Sequence, residues 1–140
     1  MKKLLLVIVI IAFVFLALYV LKGNRKTGPP DPVIQRISYN FSLIKPNYKE
    51  IPIYEGDSSY TENKNTITLC LKDPDTKRYY DMNTLMYVSL HELAHVITKT
   101  IGHDEHFKAN FSKLLLKAER LGMYNPKIPL PSKYCGVDNI

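Results

Sequence analysis

Five consecutive residues, His91-Glu92-Leu93-Ala94-His95, have types and spacing that could do chemistry. On a helix, residues four apart share one face, so both imidazoles can reach a single ion. Imidazole nitrogens bind Zn2+ at about 2.0–2.1 Å, and a catalytic zinc keeps three protein ligands and one position open for water. Glu92 does not ligate in such an arrangement. It serves as general base toward a water whose pKa the metal lowers to about 7. The chemistry implied is peptide-bond hydrolysis, with Zn2+ as cofactor and a protein or peptide as substrate. A chance occurrence would put these residues on the wet face of an ordinary amphipathic helix. Against that, Val88, Leu90, Leu93, Ala94 and Val96 crowd the motif, so part of this helix is expected to be buried, where imidazoles need partners.

A third ligand has to come from beyond the motif, and residues 102–107 (GHDEHF) follow it closely. His103 is the first choice, because a glycine at 102 lets the chain reverse and aim the start of the next helix back at the first. His106 offers the same chemistry one helical turn further in, and a carboxylate from Glu105 or Glu119 would also serve. Tyr124 and Tyr134, near the third helix and the tail, are the phenols that could steady an oxyanion. Asp81 and Asp104 are candidates to hold the ligating imidazoles in place.

The elements that must position these residues are legible from periodicity. Leu85, Val88, Leu93, Val96 and Ile97 predict a helix capped by Asn83 or Thr84 and running to a glycine stop at Gly102. Phe107, Phe111, Leu114, Leu115, Ala118 and Leu121 predict another over 104–121, ended by Gly122. Ahead of them, Val33, Ile34, Ile37, Phe41 and Ile44 predict a first helix before Pro46. Residues 51–54 read as a short strand, 55–65 as a polar, turn-rich stretch, and 66–71 (TITLCL) as a strand closed by the Asp73-Pro74-Asp75 turn. That second strand is a candidate edge for pairing with an extended substrate. The Pro-rich tail, 125–140, is expected to lie extended over the surface.

The string HELAH followed by GHDEHF resembles the SprT-like and WLM (Wss1-type) metalloproteases. The resemblance implies a small α+β, zincin-like domain of about three helices with a short β-sheet or hairpin. It assigns His91, His95 and His103 to zinc, Glu92 to acid/base catalysis and Phe107 to packing beneath the site. Residues 83–107, the strand 66–71 and Tyr134-Cys135-Gly136 also look similar to small, largely uncharacterised metallopeptidase-like proteins of large DNA viruses. A viral origin is implied on that ground alone. Those families usually act on proteins attached to DNA, and this sequence shows no DNA-binding appendage, so their substrate does not carry over.

The remaining features bound the setting. The net charge of +6 falls to +4 without Lys2 and Lys3, since 17 basic residues then face 13 acidic ones, and the charges are interleaved. No basic stripe marks a nucleic-acid partner. Cys70 and Cys135 are too few and too far apart for a disulfide framework or a CxxC metal site; Cys70 reads as a buried free thiol, with pairing open only if the fold joins the two. Residues 4–21 carry no charge and would span roughly 27 Å as a helix. They predict a single-pass membrane protein, in a host or virion membrane if viral, of undetermined topology. The expected organisation is a transmembrane anchor at 1–22, a linker at 23–32 and a metalloprotease domain at 33–140. The competing reading is a membrane-anchored zinc-binding interaction module without turnover.

Overall fold

The computed structural model describes residues 10–17 and 30–140. Asp31 starts the folded domain. Its carboxylate accepts the Val33 amide at 2.8 Å and Pro32 takes the first helical position, so α1 (Pro32–Ile44) is capped by the chemistry helix starts require. Ile34, Ile37 and Phe41, at helical spacing, are its buried stripe. A 3-10 turn, Pro46–Glu50, leads to β1 (Ile53–Glu55), followed by β2 (Tyr60–Glu62) and β3 (Thr66–Leu69). The sheet order is β1-β3-β2, with β1 parallel and β2 antiparallel to β3. β3 alternates half-buried threonines with fully buried Ile67 and Leu69. It is therefore the central strand, not the edge expected from its sequence. The edge beside it is β2, in a stretch that read as turn only. Asn63 and Lys64, both at positive φ, close the β2–β3 hairpin with the twist that antiparallel strands favour.

The motif helix is α2 (Met82–Ile97). Asp81 caps it, not Asn83 or Thr84: its carboxylate accepts the Thr84 amide at 2.9 Å and the Thr84 hydroxyl at 2.6 Å. The helix stops at Thr98, four residues before the expected glycine. Thr98 turns extended there, and Lys64 at the tip of the β2–β3 hairpin donates through its ammonium to the carbonyls of Thr98 and Thr100. Gly102, at φ +82°, then makes the reversal. α3 (Glu105–Arg120) begins under the Asp104 cap and ends before Gly122 at φ +70°. Leu85, Met86, Leu90, Leu93 and Ala94 of α2 pack with Ile37 and Phe41 of α1, Ile67 and Leu69 of β3, and Phe107, Leu114 and Ala118 of α3. Side chains of this size contribute about 1.5–3 kcal/mol each when fully buried.

The tail is a built feature rather than an extended strap. Lys133–Tyr134 (β4) and Val137–Asp138 (β5) form a two-residue hairpin with Cys135 and Gly136 at positive φ. Cys135 is disulfide-bonded to Cys70, with Cα atoms 6.4 Å apart. This corrects the reading of Cys70 as a free thiol: β3 runs into Cys70 at the point over which the hairpin folds.

The chain divides into two compact units, 1–30 and 31–140. Of the first, residues 10–17 are described, and they are helical and exposed. Residues 4–9 and 18–21 of the expected membrane span, and 23–29 of the expected linker, lie outside the described residues. No helix among the described residues is long and apolar enough to cross a membrane. The expected single-pass membrane localisation is corrected on this finding.

Candidate metal centre

Three of the chain's four histidines meet at one point. α2 presents His91 and His95 one turn apart, and the loop turned by Gly102 brings His103 over them. The Nε2 atom of His103 lies 3.0 Å from that of His95 and 3.1 Å from that of His91. A tetrahedral ion with arms of about 2.0–2.1 Å holds its ligands roughly 3.3 Å apart, close to these separations. The donor set fits a cation on chemical grounds as well. One imidazole Nε2 offers a single hydrogen or a single lone pair, so that of His103 cannot satisfy both His91 and His95 at once. A zinc ion accepting a lone pair from each satisfies all three. His106 is exposed on the first turn of α3, Glu105 pairs with Lys108 at 2.8 Å, and Glu119 is exposed near the end of α3; none of them joins the cluster.

Phe107 is the floor beneath the histidines. Its buried ring lies 5.0 Å from His91, 4.3 Å from His95 and 4.7 Å from His103, centroid to centroid, and Phe111 adds a contact at 5.2 Å to His91. The apolar floor disfavours imidazolium. Burial, then the neighbouring His95 and His103, lowers the His91 pKa to about 4, and burial chiefly lowers that of His95. Neutral imidazole is the ligating form.

Glu92 is 6% exposed beside this cluster. Its carboxylate accepts the Thr61 hydroxyl at 2.8 Å, and the same hydroxyl lies 2.9 Å from the Glu92 carbonyl oxygen. Burial raises the carboxyl's pKa while the Thr61 bond pulls it back. Thr61 was not foreseen from sequence, because its role depends on β2 being the edge strand that crosses α2. Asp81 and Asp104, expected as supports for the imidazoles, spend their carboxylates on the helix starts. Of the two phenols, Tyr124 packs against Tyr87 with ring centroids 5.9 Å apart. Tyr134 lines the cleft at the site, but its hydroxyl donates to the Cys70 carbonyl and pairs with Ser59 at 2.9 Å. These two bonds hold the tail against β3.

The WLM domain family model matches residues 61–130, half of the chain. That stretch contains Thr61, His91, Glu92, His95 and His103. The chain is 46% identical over 90 residues to Uncharacterized protein 042R of Invertebrate iridescent virus 3, covering 64% of this chain and 57% of that one. It is 43% identical over 112 residues to Uncharacterized protein 136R of Invertebrate iridescent virus 6, covering 76% and 63%. Uncharacterized protein R325 of Acanthamoeba polyphaga mimivirus matches at 36% over 97 residues, covering 64% and 49%. The chain thus spans about half to just under two-thirds of the length of these relatives. The crystal structure of Wss1 from Saccharomyces cerevisiae superposes with a TM-score of 0.55 at 23% identity, covering 64% of this chain and 79% of that one, which shows a shared fold.

Proposed function

Because the chain belongs to the WLM family, a family of zinc metalloproteases, we propose that it hydrolyses peptide bonds, with His91, His95 and His103 as zinc ligands and Glu92 as general base. The observation that carries the reading is the convergence of three imidazole Nε2 atoms within about 3 Å beside a buried carboxylate. Bound there, zinc supplies an activated water and polarises the scissile carbonyl. Glu92 is placed to take a proton from a water in the cleft and hand it to the leaving amine. Thr61 fixes the carboxylate for that transfer by tying it to β2. Since β2 is the exposed edge of the sheet and runs past Glu92, an extended peptide would add to it by backbone pairing, in place of the central strand suggested by sequence.

A zinc-binding module without turnover would have no need of a carboxylate buried at this cost beside the ligands. Replacing Glu92 with Gln separates the two readings. Zinc content should be unchanged while cleavage of unfolded protein substrates falls by about a hundredfold or more, the scale of general acid–base contributions. Cleavage at the wild-type rate by the Gln variant would refute the assignment.

A further inference from the structure

A cleft of about 350 Å3 opens beside His91 and Glu92. Tyr87 and Val88 of α2 form one side, and Tyr134, Cys135, Val137 and Ile140 form the other. The size is at the lower end of small-molecule sites, roughly 300–1,000 Å3, so it has room for one or two side chains. Among its lining residues Glu92 has the one side-chain carboxylate, and none is Lys or Arg. An acidic side chain entering it would shed water without a Lys or Arg to meet it and a basic one would find only the Glu92 carboxylate that Thr61 already holds, whereas an apolar one would bury surface against Val88 and Val137.

The tail wall is fastened at several points. Cys135 is bonded to Cys70. The Cys135 amide donates to the Tyr80 hydroxyl at 2.9 Å, and the Tyr80 and Tyr134 rings lie 4.7 Å apart. The buried Tyr134 hydroxyl grips the Cys70 carbonyl and Ser59. This leaves Val137 more than half exposed on the cleft side of a fixed hairpin. All of these tail residues lie beyond the stretch matched by the WLM family model.

We propose that this cleft is the subsite for an apolar substrate side chain adjoining the scissile bond, with Tyr87 and Val137 as its specificity-determining contacts and the Cys70–Cys135 disulfide holding the Val137 wall in place. The assignment rests on the peptidase reading of the same site and adds the substrate class. It is tested without turnover, by NMR titration of the zinc-free, disulfide-intact chain with three capped dipeptides: N-acetylglycyl-leucinamide and its aspartyl and lysyl counterparts. The leucyl probe should shift Tyr87, Val88 and Val137 saturably and bind at least tenfold more tightly than either charged probe. V137D, at an exposed position, should cut leucyl binding at least tenfold while the α2 and β3 amide signals stay in place. Cys70→Ser/Cys135→Ser should weaken it severalfold. Equal binding of the leucyl and aspartyl probes, or undiminished leucyl binding by V137D, would overturn the subsite even in a protein that cleaves peptides. Selective leucyl binding at this wall supports the subsite even in one that cleaves none.

Discussion

The histidine cluster is stabilised and destabilised by the same burial. His91 has a folded pKa of about 4 against 6.5 for the free side chain, chiefly through burial and then through His95 and His103. A lowered histidine pKa means that the unfolded chain takes up the proton first. The contribution to stability is whole above pH 6.5 and is lost as the pH falls from there toward 4. Urea unfolding of the zinc-free protein at pH 7 and pH 5 should therefore show a smaller pH loss in His91→Gln than in wild type; equal losses would contradict it. At this scale the sequence was informative where spacing carries chemistry. The HExxH spacing named His91, Glu92 and His95, and Gly102 pointed to His103 over His106. Thr61 and Tyr134 were opaque, because a threonine in a polar stretch and one tyrosine among ten carry no local signal.

Between elements, the site depends on the β2–β3 hairpin. Lys64 at its tip anchors the loop that leads from α2 to His103, while Thr61 in its edge strand holds Glu92. Replacing Thr61 with Val keeps the shape and removes one hydrogen bond to a charged group, worth about 1.5–3 kcal/mol when lost. With peptide substrate, kcat should fall by about tenfold with KM little changed, and Thr61→Ser should restore most of it. A valine variant as fast as wild type would show that the bond does not position the base. The three helices were readable because each buries a stripe at 3.6-residue spacing, as Ile34, Ile37 and Phe41 do. β2 was missed because its exposed edge position leaves Tyr60, Thr61 and Glu62 without the apolar alternation that marks a strand. The α2 end was misplaced because the backbone turns extended at Thr98, ahead of the local glycine.

For the molecule as a whole, the disulfide joins residues 65 apart in sequence and fastens the tail beside the site. Closing a loop of that length stabilises a domain by about 2–4 kcal/mol. Thermal unfolding of Cys70→Ser/Cys135→Ser should thus begin well below that of the oxidised wild type; coincident transitions would argue that the two cysteines are not bonded in solution. No sequence pattern could decide this pairing, since it depends on β3 and the β4–β5 hairpin meeting in space. The most direct test of the account is the zinc content, by elemental analysis, of the purified chain and its His91→Ala, His103→Ala and His106→Ala variants. The account predicts one zinc per chain in wild type and in the His106 variant, and little or none in the other two. A folded wild-type protein that takes up no zinc, or a His103 variant that keeps it fully, would contradict the three-histidine site.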